Sequence, residues 1–197
     1  MTQMKKLISW TLLTTPLMLA FQLCLGGELH HVKMPDSLLL DGKPLQLNGM
    51  GAREATIFKV KVYIAGLYLE TRSQNADSIL NSSSLKKLTL NFVHAVGAAK
   101  LKDAWKEGIE KNCSNICASL EDPLKRFLGT VVDLKEGDTL SFVFYPEKVV
   151  VQTQAQGLEK QEIIMNKEFS RTLLSIWLGK EPPNSGIKEG LLGQIKN

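Results

Sequence analysis

Short apolar runs separated by turn residues open the globular part of the chain. Ser37–Leu40 and Pro44–Leu47 flank the dipeptide Asp41-Gly42, and two such runs around Asp-Gly predict a tight β-hairpin. Asn48-Gly49-Met50-Gly51 follows, and its glycines predict a loop. This loop lacks the nucleotide fingerprint and the Gly-Lys-Ser/Thr ending of a phosphate-binding loop, so we do not expect it to bind nucleotides.

The stretch Thr56–Leu69 is predicted to be one long strand or a pair of strands, because apolar residues alternate with lysines and a tyrosine over Phe58–Ile64. A period of two sends alternate side chains to opposite faces of a sheet. The apolar set is predicted to face the core, and the set that contains two lysines is predicted to face away from it. The first set is Phe58, Val60, Val62 and Ile64, and the second is Lys59, Lys61 and Tyr63.

A helical period appears over Ala98–Ser119, where apolar residues and one asparagine recur at spacings of three and four. The residues of this stripe are Leu101, Trp105, Ile109, Asn112 and Ile116. A second long helix is predicted over Asn166–Leu178, because Gly179 and Pro182-Pro183 stop it. Shorter helices are predicted over Ala76–Leu80, Asp122–Phe127 and Ile187–Leu192.

The order of the predicted elements indicates the fold class. Strands come first, then helices, then a hairpin and a strand, then helices again, so the strict alternation of a doubly wound parallel sheet is absent. We therefore predict an α+β domain in which an antiparallel sheet packs against helices on one face. The strands beyond residue 80 are predicted over Leu88–Val93, Asp138–Tyr145, Lys148–Gln154 and Leu158–Ile163.

The first 27 residues differ from the rest of the chain. Lys5 and Lys6 precede the uncharged, mostly apolar run Leu7–Gly27, which ends in two small residues. This pattern is typical of a secretory signal peptide. We predict a signal over residues 1–27, a single domain over residues 28–197, and a periplasmic or secreted protein with no stable membrane span after cleavage. The alternative is a retained anchor, since about 20 apolar residues can span a bilayer.

Composition narrows the function classes further. The 197 residues carry a net charge of +4, with 44% hydrophobic and 22% charged residues, which suits one globular domain. No basic cluster stands out, so nucleic-acid binding is not expected. No metal-spaced histidine cluster or Ser-His-Asp ordering stands out either, so we predict no metal and no cofactor.

Export would place Cys113 and Cys117 in an oxidising compartment. Residues four apart on a helix share one face, with Cβ atoms near the upper limit for a disulfide. The sequence leaves two alternatives open, a bridge between these cysteines or two small buried thiols.

Two separated segments resemble the chalcone isomerase superfamily, and more closely its bacterial chalcone isomerase-like proteins. The first is Leu47–Arg53 (LNGMGAR) with its continuation Phe58–Glu70 (FKVKVYIAGLYLE). The second is Phe169–Gly179 (FSRTLLSIWLG), followed by Pro182 and by Leu191-Leu192-Gly193. The resemblance covers roughly residues 30–193. It implies an open-faced β-sandwich, in which a large antiparallel sheet is backed by helices and a cleft lies between the two layers.

The same resemblance implies several functions, because fold and function separate within such families. The plant enzymes close chalcones into flavanones, noncatalytic members bind fatty acids, and some fungal relatives are connected with haem. Arg53 matches the arginine that meets an oxyanion in the enzymes or a carboxylate in the binding proteins, and a guanidinium suits both. Asn112 matches an active-site asparagine. On composition alone, Arg53 would be a solvated loop residue and Asn112 a satisfied core amide.

Three positions depart from the enzymes in this comparison. Trp105 stands where they carry a catalytic tyrosine, and an indole has a donor N–H but no phenolic oxygen. Tyr63 replaces a threonine on the long strand, and Asn184 takes the place of a serine or threonine near the C-terminus. The constellation for chalcone cyclisation is therefore incomplete, although an indole also suits plain core packing.

We predict a noncatalytic protein that binds a fatty acid or a similar apolar carboxylate in the cleft. The predicted ligand-binding residues are Arg53, Tyr63, Trp105, Asn112 and Asn184. An isomerase or intramolecular lyase, with Arg53 and Asn112 as its catalytic residues, is the first alternative. A haem-binding or partner-binding module, with His94 as the residue to test, is the second.

Overall fold

A computed structural model describes residues 26–55, 58 and 60–195, so nearly all of the predicted signal lies outside the described residues. Within them the chain forms the following elements. The strands are β1 Gly27–Leu29, β2 Val32–Met34, β3 Ser37–Leu40, β4 Lys43–Ala55, β5 Val60–Leu69, β6 Lys86–Phe92, β7 Thr139–Phe144, β8 Val149–Ala155 and β9 Leu158–Ile164. The helices are α1 Ala76–Asn81, α2 Ala98–Asn112, α3 Glu121–Thr130, α4 Lys167–Leu178 and α5 Ser185–Leu191, with a 3-10 segment at Ser114–Leu120.

Strands β3 to β9 form one seven-stranded sheet in which every neighbouring pair is antiparallel and the strand order follows the chain. Strands β1 and β2 form a separate hairpin that lies against β4. The helices are inserted after β5, after β6 and after β9. The predicted α+β class, with an antiparallel sheet backed by helices, is therefore confirmed.

The main core lies between this sheet and the helices. Aromatic rings from α2, α3, α4 and β7 meet there, with neighbouring ring centroids between 5.3 and 6.3 Å apart. Offset and edge contacts of this kind favour tight packing of large side chains. The rings belong to Trp105, Phe127, Phe142, Phe169 and Trp177.

Within the described residues no helix is both long and apolar enough to cross a membrane.

The glycines of Asn48–Gly51 lie inside β4, so the prediction of a loop there is wrong. These glycines let α5 approach the strand. A Cβ atom on Gly49 would collide with the carbonyl oxygen of Gly190, and one on Gly51 would collide with that of Ile187. Glycine in a strand marks a close approach of another backbone as well as a turn, and the sequence alone does not separate these cases.

The predicted facing of β5 is confirmed at Val62, which packs against the main core, but it is wrong from Tyr63 onward, after a shift of the β4–β5 register. Tyr63 and Leu67 point toward the helices and are buried, whereas Ile64 and Tyr68 point to the other face, where they pack in a second apolar cluster. Val60, predicted to be buried, is 39% exposed. Both faces of this central strand are covered, so the contrast of apolar and polar residues does not reveal which face is the core.

Helix α2 ends at Asn112, seven residues before the predicted end at Ser119. The chain continues from Cys113 as the 3-10 segment, in which Ser114 has a φ of 49°. This left-handed conformation breaks the α-helical hydrogen-bond pattern. Apart from these three differences, the predicted elements agree with the observed bounds to within a few residues.

Candidate functional site

A cleft of about 780 Å³ opens at one end of the sheet, between the paired ends of β4 and β5, the β6–α2 connection, α2 and residues 181–183. We call it the first cleft. Its volume falls in the range of small-molecule sites, roughly 300–1,000 Å³. Much of its wall is apolar, with a few charged groups around it. The apolar residues include Val60, Val62, Val96, Leu101, Ala104, Trp105 and Ile176.

Arg53 lies on the β4 wall of this cleft, directly across the strand pair from Tyr63. The β4–β5 register shifts between Arg53 and Glu54, and the Arg53 guanidinium donates a hydrogen bond to the Glu54 carbonyl oxygen. Among the described residues, no carboxylate lies within ion-pair distance of this guanidinium. The half-buried cation thus keeps donors available for an oxyanion, because an arginine carries five N–H groups.

Tyr63 lies at the floor of the first cleft and is only 3% exposed. The indole nitrogen Nε1 of Trp177 donates a hydrogen bond of 2.9 Å to the Tyr63 hydroxyl oxygen. Burial raises the pKa of Tyr63 to about 12, because the phenolate would lose its hydration, although the Trp177 bond and the Arg53 charge act in the opposite direction. The hydroxyl is therefore a neutral donor at ordinary pH.

Trp105 lines the first cleft and at the same time belongs to the core. It is 3% exposed, and its ring packs against Phe127 and Phe142, with centroids 5.3 and 6.3 Å away. The two interpretations that the sequence left open for this residue are thus compatible. One side of the indole closes the cleft, and the rest fills the interior.

Asn184 does not line the first cleft, but it holds the wall next to Arg53. Its amide nitrogen donates to the Ala52 carbonyl oxygen at 3.1 Å, and its amide oxygen accepts from the Glu54 backbone N–H at 3.2 Å. The side chain thereby joins the segment before α5 to β4 on both sides of Arg53. Asn184 therefore supports the arginine from behind the cleft wall.

Asn112 lies in a second cleft of about 820 Å³, formed by the ends of α2 and α4 with α1 and α5. Its amide nitrogen donates to the Gly108 carbonyl oxygen at 2.9 Å. The side chain also packs so closely on Gly179 that a Cβ atom there would collide with the Asn112 amide oxygen. Arg53 and Asn112, the pair expected for an isomerase, therefore line different clefts.

Glu107 and Lys111 form an ion pair of 2.6 Å on the α2 rim of the first cleft. The hydrogen bond from Lys111 is the main cause that lowers the pKa of Glu107, and the Arg53 charge adds a smaller effect in the same direction. Because Lys111 neutralises this carboxylate, the cationic character of Arg53 is not cancelled by Glu107. His94 lies exposed on the opposite rim.

Cys113 and Cys117 are joined by a disulfide, with their Cα atoms 5.0 Å apart. It links the end of α2 to the 3-10 segment, and Cys113 is buried whereas Cys117 is exposed. Within the described residues, no three His, Cys, Asp or Glu side chains form a group that could hold a metal ion.

The hydrogen bond from Trp177 to Tyr63 was missed at the level of sequence. Trp177 lies in α4 and is 0% exposed. A buried indole N–H almost always needs an acceptor. That requirement was a usable signal, but the acceptor lies 114 residues away in the chain, so only the folded structure identifies it.

The comparisons with known proteins agree with this geometry at the level of the fold. The crystal structure of a fatty-acid binding protein from Arabidopsis thaliana superposes on the chain with a TM-score of 0.65. The match covers 83% of this chain and 93% of that one, at 16% sequence identity. No curated protein matches the sequence. The family model described as chalcone isomerase-like matches residues 26–193, and the chain therefore belongs to the chalcone isomerase-like family.

Proposed function

We propose that the protein binds an apolar carboxylate of the fatty-acid class in the first cleft, without chemical conversion. The observation that carries this proposal is the Arg53 guanidinium, which lies on an otherwise largely apolar wall and has no ion-pair partner among the described residues. A fatty acid has the complementary parts, because its carboxylate pairs with a guanidinium and its chain covers apolar surface.

The head group would lie between Arg53 and Tyr63. These residues face each other across β4 and β5, so their side chains leave the sheet on the same side. Arg53 supplies a charged donor and Tyr63 a neutral one, and two donors match the two oxygens of a carboxylate. The apolar chain would then run along α2 past Leu101 and Ala104, which line the same cleft.

The structural relative from Arabidopsis thaliana supports the proposal, since that protein is a fatty-acid binding protein. The two proteins share a similar arrangement of sheet and helices, but a shared fold does not determine the ligand. The support for a carboxylate ligand comes from Arg53 and the apolar wall around it.

Calorimetric titration with dodecanoate at pH 7 tests the proposal. We expect the wild type to bind and the Arg53→Gln variant to bind at least tenfold more weakly, a loss of about 1.4 kcal/mol or more. Removal of one charge-assisted hydrogen bond alone costs about 1.5–3 kcal/mol. The matched control is Arg72→Gln, an exposed arginine outside the first cleft, which should bind as the wild type does.

Two results would contradict the proposal. If lipid extraction followed by mass spectrometry finds no acyl ligand in the purified protein, and titration detects no dodecanoate binding, the protein is not a binder of this class. If Arg53→Gln and Arg72→Gln bind dodecanoate equally well, Arg53 does not hold the head group.

We also propose that the protein is exported, on the strength of the basic and apolar pattern of residues 1–27. Export would agree with the Cys113–Cys117 disulfide, because disulfides persist in oxidising compartments. N-terminal sequencing of the full chain, after expression in a bacterium, should show a new terminus close to Gly27. Recovery of the protein with Met1 intact in the cytoplasmic fraction would overturn this proposal.

A further inference from the structure

The hydroxyl of Tyr63 is unusual among the polar groups around the first cleft, because it is buried and yet its proton has no acceptor among the described residues. Its only hydrogen bond to another described residue is the one that it accepts from the Trp177 indole N–H. Indole nitrogen is a donor and never an acceptor, so the direction of this bond is fixed. The hydroxyl proton must therefore point to something other than Trp177.

The groups around the Tyr63 hydroxyl indicate that its proton points into the first cleft. Trp177 is 0% exposed and lies on the α4 side of Tyr63, within the core. Arg53, on the neighbouring strand, is itself a donor and cannot accept the proton. The first cleft is the remaining space that Tyr63 lines. A buried donor of this kind needs an acceptor from water or from a ligand.

We infer that Trp177 is a positioning residue for the ligand site: its indole N–H occupies a lone pair of the Tyr63 hydroxyl and so turns the Tyr63 O–H toward an oxyanion held by Arg53. This inference rests on the proposed binding of a carboxylate. The inference adds a statement about selectivity. The site favours an anionic acceptor over a neutral ligand group that has to donate a hydrogen bond, because Arg53 and the oriented Tyr63 present only donors.

The bond from Trp177 also strengthens the donor. A hydroxyl that accepts a hydrogen bond becomes polarised and donates more strongly, and such chains gain strength where water is excluded. Trp177 acts on the ligand through Tyr63, since it does not line the first cleft. Its contribution should therefore vanish when the Tyr63 hydroxyl is absent.

A double-mutant cycle tests this dependence, with dodecanoate as the ligand in calorimetric titration. Tyr63→Phe should raise the dissociation constant about tenfold, as expected for one hydrogen bond to a charged group. Trp177→Phe, which keeps a ring and removes the N–H, should raise it about fivefold. The double variant should bind within twofold of Tyr63→Phe alone, because the two effects share one hydroxyl.

A matched control separates this effect from loss of core packing. Leu173→Ala removes a fully buried side chain of the same helix that lies outside the first cleft. It should lower the unfolding midpoint in urea but leave the dissociation constant within twofold of wild type. The indole N–H resonance of Trp177, assigned in a ¹⁵N spectrum by its loss in Trp177→Phe, should move on Tyr63→Phe.

The outcomes distinguish this inference from the proposed function. If Trp177→Phe weakens binding by the same factor in the presence and absence of the Tyr63 hydroxyl, Trp177 acts by packing and the inference fails, while carboxylate binding stands. An indole resonance that does not move on Tyr63→Phe would also overturn the inference. If the wild type binds no dodecanoate, the proposed function fails, and the role assigned to Trp177 fails with it.

Discussion

Two clefts of similar volume lie side by side, share Lys111 and Pro182, and differ in how their polar groups are used. In the first cleft, Arg53 has no carboxylate partner among the described residues. In the second, Asn112 is bonded to the Gly108 carbonyl oxygen within its own helix. The comparison teaches that cavity size says little about function, whereas a half-buried charge without a counter-charge among the described residues points to a ligand.

Other polar groups of the second cleft are likewise engaged with the protein. Lys188 donates to the Gly179 carbonyl oxygen at 2.7 Å, and Arg171 donates to the Asn81 side chain at 3.0 Å. These bonds connect α4, α5 and α1 around the cleft. Substitutions in the second cleft should therefore change the free energy of unfolding, and substitutions in the first should change ligand affinity.

The largest expected effect on stability comes from Gly179→Ala. The added methyl group would collide with the Asn112 side chain and with the Ser175 carbonyl oxygen, and overpacking of this kind costs about 1–3 kcal/mol. Urea unfolding should show a lower midpoint, while dodecanoate binding stays within twofold of wild type. The control is Gly129→Ala in α3, where a Cβ atom meets nothing within 4 Å. An equal loss of stability in both variants would show that the second cleft has room at Gly179.

The next effect concerns the disulfide beside the second cleft. Loop-closure entropy for so short a loop predicts that the Cys113–Cys117 bridge stabilises the protein by roughly 2 kcal/mol. Addition of a reductant should lower the unfolding free energy of the wild type by about that amount. The variant with both cysteines replaced by alanine should not respond to the reductant. A wild type that is equally stable with and without reductant would contradict this prediction.

The smallest expected effect on stability comes from Asn112→Ala, and this variant also tests most directly whether the two clefts have different roles. Asn112→Ala removes one half-buried hydrogen bond and should cost about 1 kcal/mol of unfolding free energy. Its dodecanoate affinity should stay within twofold of wild type, in contrast to the loss of at least tenfold expected for Arg53→Gln. If Asn112→Ala instead weakens binding tenfold, the ligand extends past Lys111, and the two clefts form one site.

The candidate site was predictable from sequence in part. The family resemblance indicated Arg53, Tyr63 and Trp105, and all three line the first cleft. The same reasoning grouped Asn112 and Asn184 with them, and the structure places one in the second cleft and the other behind Arg53. The sequence shows the spacing of residues along a helix or within a motif. The direction of an amide side chain depends instead on neighbours that come from distant parts of the chain.

The fold shows the same division. The hairpin at Asp41-Gly42 and the span of α4 followed from turn chemistry and helical period, which depend on neighbouring residues. The facing of β5 from Tyr63 onward did not follow from the alternation of residues, because the register with β4 shifts just before it and the β1–β2 hairpin helps to cover the face opposite the helices. The glycines of β4 likewise have a role only because α5 docks on that strand.

By itself, the sequence determined most of the element types, the family, and Arg53 and Tyr63 as candidate ligand-binding residues. These depend on short-range periods and on motifs. Only the tertiary structure decided that Tyr63 is buried, that Trp177 donates to it from 114 residues away, and that Arg53 faces a cleft without Asn112. The physical reason is that burial and the pairing of polar groups depend on contacts between distant segments, and these contacts form only when the sheet and helices pack together.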